Sequence, residues 1–182
     1  MKLANTLLAT VALTVTASAE PPKIYSIPLK DIDGKDTSLN AFAGKVVLAV
    51  NVASHCGNTK QYSGLQEMFE RNKAAGLVVV GFPSNDFGAQ EPGTEAEVKE
   101  FCSTKFKVTF PMMSKVHVKG AEQHPLYKEL SGPGSAFPGD VKWNFGKFLI
   151  GRDGKVIARF EPGVKPDDAK VAKAVADALA AK

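Results

Sequence analysis

The chain has 182 residues, 23 Lys+Arg against 19 Asp+Glu, and 44% hydrophobic residues. That composition fits one ordinary globular domain and excludes collagen-like, coiled-coil and low-complexity architectures. The net charge of +4 is interleaved along the chain without a block of five like signs, so it reads as a solvated mixed surface, with no nucleic-acid partner. Two cysteines are too few for a disulfide-scaffolded miniprotein or a four-thiolate zinc site. They leave a structural disulfide, a redox pair or two inert thiols.

Lys2, the apolar stretch Leu7 to Val15 and the A-x-A site Ala17-Ser18-Ala19 are the parts of a secretory signal peptide. The stretch is too short and too threonine-rich to span a bilayer. Cleavage after Ala19 would leave residues 20–182 as a single domain, remove Lys2 and lower the charge to +3. The expected address is secreted or periplasmic, where disulfides persist.

Along the mature chain, Ile24 to Leu29 and the Asp33-Gly34 turn predict a small N-terminal β-hairpin. Val46 to Val52 is a continuous, β-branched apolar run suited to a strand buried on both faces. Gln61 to Ala75 places Tyr62, Leu65, Gln66, Met68 and Phe69 at helical spacing and stops at Gly76. Leu77 to Phe82 is a second buried strand, completing a right-handed parallel βαβ unit. Thr94-Glu95-Ala96-Glu97 is a capping box that opens a second helix carrying Phe101 and Cys102. Met112 to Val118 reads as a short strand after a bend at Pro111, and Pro125 opens a short helix from His124 to Leu130. Trp143 to Ile150, the Asp153-Gly154 turn and Lys155 to Phe160 form the clearest antiparallel hairpin. A terminal helix starts at Pro166-Asp167-Asp168, with a Val171/Val175/Leu179 stripe facing inward. This order predicts an α/β, thioredoxin-like fold: a mixed central sheet with helices on both faces.

Cys56 falls between the first buried strand and the following helix. Ligands bind at the carboxyl ends of strands in open α/β sheets. A thiol near a helix N-terminus also meets unpaired N–H groups that favour its thiolate. A disulfide reductase would need C-x-x-C here, but the fourth position is Thr59. Any partner for an oxidised Cys56 must therefore come from elsewhere, and Cys102 is the one other cysteine.

Three blocks resemble the signatures of the glutathione peroxidase family in its non-selenium, cysteine form. They run from Asn51 to Tyr62, from Gly81 to Gly93, and from Lys142 to Leu149, in the family's order and across nearly all of the mature chain. The resemblance implies a catalytic tetrad of Cys56, Gln90, Trp143 and Asn144, with Cys102 as the resolving cysteine. Taken alone, Trp143 would read as a core residue and Gln90 as a turn residue. As uncharged N–H donors, the three partners of Cys56 can stabilise charge developing on sulfur and on the departing oxygen. The implied reaction is reduction of hydrogen peroxide or an organic hydroperoxide through a Cys56 sulfenic acid and a Cys56–Cys102 disulfide. A thioredoxin-like protein or glutathione would reopen that disulfide; no arginine cluster for glutathione is evident. The alternative is a peroxide sensor or redox relay that passes its disulfide to a partner protein. No cofactor or metal is implied.

The second block departs from the family's Cys-Asn-Gln at Ser84-Asn85-Asp86. Ser84 removes a possible third thiol. Asp86 brings a carboxylate near the active-site loop, where it is expected to face solvent or cap the local turn and not to face Cys56. His55, beside Cys56 on a strand end, is expected to point away from it. Only about 23 residues separate Lys119 from Trp143, too few for the insertion that tetrameric members use, which implies a monomer with an open site.

Overall fold

The computed structural model describes residues 22–181; the expected signal peptide lies outside the described residues. The core is built on β3 (Val46–Val52), buried at every position. Successive side chains of a strand point to opposite faces, and here both faces are covered. Val47 and Ala49 enter one apolar cluster with Leu126, Tyr127 and Leu130; Val46, Leu48, Val50 and Val52 enter another with Tyr62, Leu65, Val171 and Val175. The continuous apolar run is therefore explained by helices above and below it.

The first elements are α1 (Lys23–Ser26), β1 (Leu29–Lys30) and β2 (Asp36–Thr37). After β3 come α2 (Gln61–Asn72), β4 (Leu77–Pro83), α3 (Glu95–Phe106) and α4 (Pro125–Ser131). The chain closes with β5 (Lys147–Ile150), β6 (Val156–Phe160) and α5 (Ala169–Ala180). The four-stranded sheet has the order β4-β3-β5-β6. β4 is parallel to β3, while β5 is antiparallel to both β3 and β6. This is the thioredoxin-like arrangement. It brings the carboxyl ends of β3 and β4 to one edge of the sheet, beside the loop that precedes β5.

Three expectations are corrected. Residues 24–26 form a helical turn, not a strand, because Ile24 and Ile27 then bury on one face beneath Leu39; the hairpin is confined to β1 and β2. Met112 to Val118 makes only isolated bridges, Asp31 to Met113 and Gly81 to Met112. Pro83 and Pro111 lack the N–H groups that a continuous ladder would need. Finally, the last hairpin begins at Lys147, because Phe145 takes a left-handed backbone (φ 71°) that no strand accommodates.

The capping box forms as expected. Thr94 accepts from the Glu97 N–H at 3.3 Å, and Glu97 accepts from the Thr94 N–H at 2.7 Å. Helix α3, which carries Cys102, therefore starts firmly. α5 buries Val171, Val175 and Ala178, with Asp168 as its cap. Among the described residues no helix is long and apolar enough to cross a membrane.

Candidate active site

Cys56 sits in a tight turn after β3, held by Thr59. The Thr59 hydroxyl accepts from the Cys56 N–H at 3.0 Å and donates to the Ala53 carbonyl at 2.9 Å. The residue standing where a second C-x-x-C thiol would be thus staples the loop. The Asn58 N–H points to the Cys56 sulfur at 3.4 Å, a hydrogen-bond donor from the turn just before α2. Cys56 is half-buried and unbonded.

The loop after β4 meets this turn directly. The Ser84 N–H donates to the Val52 carbonyl at 3.1 Å, and the His55 N–H to the Gln90 carbonyl at 3.0 Å. Gln90 is thereby fixed against the neighbour of Cys56. Its approach needs left-handed backbone at Gly88 (φ 63°) and Ala89 (φ 52°). A methyl group added at Gly88 would lie 3.6 Å from Gln90 Cγ and 3.7 Å from Trp143 Cη2, so these side chains flank one glycine.

The loop before β5 supplies the rest. Asn51, the single polar residue in the β3 run, is fully buried and acts as its anchor. Its side-chain amide donates to the Trp143 carbonyl at 3.0 Å, and its backbone carbonyl accepts the Phe145 N–H at 2.6 Å. The left-handed Phe145 turns its ring into the core, edge-on to Tyr62 at 5.4 Å. Trp143 and Asn144 are then presented to the loops. The Trp143 ring is 42% exposed and rests 5.5 Å from Phe87. Asn144 is buried, and its side-chain N–H donates to Gln90 Oε1 at 3.0 Å. That bond occupies the Gln90 carbonyl and leaves the Gln90 amide N–H groups turned elsewhere, so Asn144 orients Gln90 as a donor.

The structure therefore joins Gln90 to Asn144 and sets Trp143 beside Gln90, with the turn that carries Cys56 bonded to the Gln90 backbone. Cys102 stands apart on α3. It is unbonded, 1% exposed and packed in the same apolar cluster that Cys56 borders. Burial pushes its thiol up to about 11, eased by the Tyr62 hydroxyl beside it and reinforced by the nearby Glu91 carboxylate. His55 is exposed, with its ring 6.5 Å from Phe101.

Sequence reasoning overlooked Lys147. Its ammonium is fully buried without a carboxylate and donates to the Phe145 and Val164 carbonyls, both at 2.7 Å. Burial lowers it to about 8. It holds the strained turn behind Trp143 and Asn144. Asn51 could have been found as a polar break in an apolar run; Lys147, at the first position of the apolar strand Lys147–Ile150, read as a surface residue at a strand start.

Asp86 faces neither solvent nor Cys56, and instead of its own turn it caps residues 117–119. It accepts from the Val118 N–H at 2.6 Å and pairs with His117 Nδ1 at 2.8 Å. Burial raises its carboxyl, but the bonds from His117 and Val118 outweigh this and leave it below the usual carboxylate range. The hydrogen bond that His117 donates to Asp86 raises His117 in turn. The two shifts define the window of the clamp. Its stabilisation fades as pH falls through the Asp86 value and as pH rises through the raised His117 value. In Asp86→Asn the His117 titration midpoint should fall toward its ordinary value, and an NMR titration of the imidazole protons checks this.

Among the described residues no group of three or more His, Cys, Asp or Glu is placed to hold a metal ion. Residues 24–131 match the family description "Glutathione peroxidase". The chain is 50% identical over 151 residues to the hydroperoxy fatty acid reductase Gpx2 of Synechocystis sp., covering 83% of this chain and 96% of that protein. It is 44% identical over 178 residues to the thioredoxin/glutathione peroxidase BtuE of Escherichia coli, covering 86% and 97%. The apo crystal structure of Trgpx superimposes with a TM-score of 0.68 at 39% identity, covering 86% of this chain and 95% of that one. Three loops meeting at a strand-end cysteine, and relatives that match over most of their length, have one reading: the chain belongs to the glutathione peroxidase family and is a thiol peroxidase that reduces hydroperoxides.

Proposed function

We propose that Cys56 is the peroxidatic residue of this enzyme and Cys102 its resolving thiol. The Cys56 thiolate attacks the distal oxygen of a hydroperoxide; the O–O bond breaks and the alcohol or water leaves with a proton. Cys56 becomes a sulfenic acid. Cys102 then displaces hydroxide from that sulfur, giving the Cys56–Cys102 disulfide and water, and two thiols of a reductant restore the pair. The observation that carries this reading is the Asn144–Gln90 hydrogen bond, which fixes Gln90 as a donor beside the Cys56 turn. Trp143 adds an exposed indole donor and an apolar wall for an organic hydroperoxide.

The half-buried Cys56 at an open loop junction suits hydroperoxides of varied size and a protein reductant. The names of the Synechocystis and Escherichia coli relatives support lipid hydroperoxides as substrates and a thioredoxin-like protein or glutathione as donor. The reading includes residues 20–182 as one secreted or periplasmic domain, working as a monomer; its reductant must then be an exported one. Mass spectrometry of the reduced protein after one equivalent of hydrogen peroxide tests the thiol roles. The expected products are a Cys56–Cys102 disulfide in the wild type and a Cys56 sulfenic acid in Cys102→Ser. Absence of both would overturn the assignment.

A further inference from the structure

The Trp143 indole is held differently from its neighbours in the site. Asn144 bonds to Gln90, the Gln90 backbone carbonyl accepts the His55 N–H, and Asn51 holds the Trp143 backbone carbonyl. Among the described residues the indole N–H itself has no hydrogen-bond partner, so packing alone decides where the ring lies. The ring is 5.5 Å from Phe87, tilted by 44°, and a methyl group added at Gly88 would lie 3.7 Å from its Cη2 atom. Residues 87 and 88 are therefore the seat of the indole, and whatever fixes that seat fixes the ring.

Asp86, immediately before Phe87, fixes it. Its N–H donates to Ser84 Oγ at 3.4 Å. Its carboxylate reaches across to the segment before α4. There Oδ2 accepts the Val118 N–H at 2.6 Å and the Lys119 N–H at 3.3 Å, and Oδ1 pairs with His117 Nδ1 at 2.8 Å. Hydrogen bonds to an ionised acceptor are the strong kind, and three of them converge here. The segment is itself anchored. The His124 N–H donates to the His117 carbonyl at 2.8 Å, and the Gln123 side chain donates to the Val118 carbonyl at 3.0 Å. With its backbone held in this way, Lys119 sets its ammonium over the Phe87 ring, 4.6 Å from the centroid. Phe87 is 1% exposed, with the cation over it and the indole against it. Ser84 and Asp86, the two departures in the second signature, thus bond to one another and hold the seat together.

We propose that Asp86 is a positioning residue for peroxide reduction: it braces Phe87 against Lys119 and so holds the Trp143 indole beside Gln90. The inference rests on Trp143 being a partner of Cys56 in the proposed function. Asp86 touches no reacting group; it acts through Phe87. An indole on a loose seat spends less of its time where it can meet the peroxide, and preorganisation of the donor is lost.

The test is a double-mutant cycle between Asp86 and Trp143 on the full reduced protein. Each variant is mixed with one equivalent of hydrogen peroxide and quenched, and loss of the Cys56 thiol is followed by mass spectrometry. Asp86→Ala should slow this step about 10-fold, the scale of a small displacement of a reacting partner. Introduced into Trp143→Phe, the same substitution should cost less than about twofold, because the residue it positions is gone. Trp143 is the single tryptophan of the chain, so its fluorescence reports the seat directly. Asp86→Ala should shift the emission to the red and quicken quenching by acrylamide. Asp86→Asn keeps one oxygen that can accept the Val118 N–H and should recover part of the rate. Lys119→Ala removes only the exposed cation over Phe87. It should move the emission the same way and slow the step less, and it carries the test if Asp86→Ala does not fold. Wild-type rate and emission in the folded variant would overturn the proposal. An equal slowing by Asp86→Ala in the wild type and in Trp143→Phe would do the same, since Asp86 would then act on the fold at large. A wild-type rate in Trp143→Phe itself would instead overturn the role of Trp143, and this inference with it.

Discussion

Cys56→Ser should consume hydroperoxide at least about 10³-fold more slowly than the wild type, a loss of about 4 kcal/mol of transition-state stabilisation. A serine hydroxyl keeps the size of the side chain but is scarcely ionised at neutral pH and cannot form a sulfenic acid. Nothing else in the site can replace it: Gln90, Trp143 and Asn144 are neutral donors, and Cys102 is buried and protonated. The variant should fold normally, because the Thr59 hydroxyl binds the backbone N–H of residue 56 and not its sulfur. Peroxide consumption with excess dithiothreitol, beside a circular dichroism melt, checks both halves. In the wild type the same assay should run for many turnovers, whereas a relay would stop after one equivalent in the absence of its partner protein.

The second large effect concerns stability. The Lys147 ammonium has an ordinary value of 10.5 and is lowered to about 8 by burial. Between these values the folded protein has released a proton that the unfolded chain still holds, so stability rises with pH across that window. The 2.5-unit gap corresponds to about 3 kcal/mol, at 1.36 kcal/mol per unit. Below pH 8 the folded state carries the full penalty of a buried charge. Cys102 acts in the opposite sense above pH 9, since its folded thiol keeps its proton longer. Comparing the wild type with Lys147→Met cancels that contribution. The difference between their unfolding free energies should change by about 3 kcal/mol from pH 8 to 10.5, as read from denaturant midpoints. The variant also leaves the Phe145 and Val164 carbonyls without their donor. The turn that presents Trp143 and Asn144 should loosen, lowering activity at every pH.

Local sequence determined much of this protein. The unbroken apolar run of β3, the capping box of α3 and the stop at Gly76 (φ 103°) are consequences of neighbouring side chains and backbone sterics, and each forms where its residues stand. The approximate site was legible for a related reason: Cys56, Gln90 and Trp143 lie in long signatures whose spacing along the chain is itself the pattern. Where expectation failed, contacts from distant segments decided. The Trp143-to-Gly146 stretch is not strand because Asn51, about ninety residues earlier, takes its backbone bonds and Lys147 holds Phe145 in a left-handed turn. Asp86 is drawn to His117 and Val118, a pairing no local rule encodes.

The opposite fates of the two cysteines show the same division. The sequence by itself placed one thiol at a strand end and the other within a helix, and so named both as candidates. Only the tertiary structure left Cys56 half-exposed under an N–H donor and buried Cys102 in the apolar cluster that holds Tyr62. Burial arises from residues far apart in sequence, and it determines which thiol stands open at the loop junction and which is held protonated in the core.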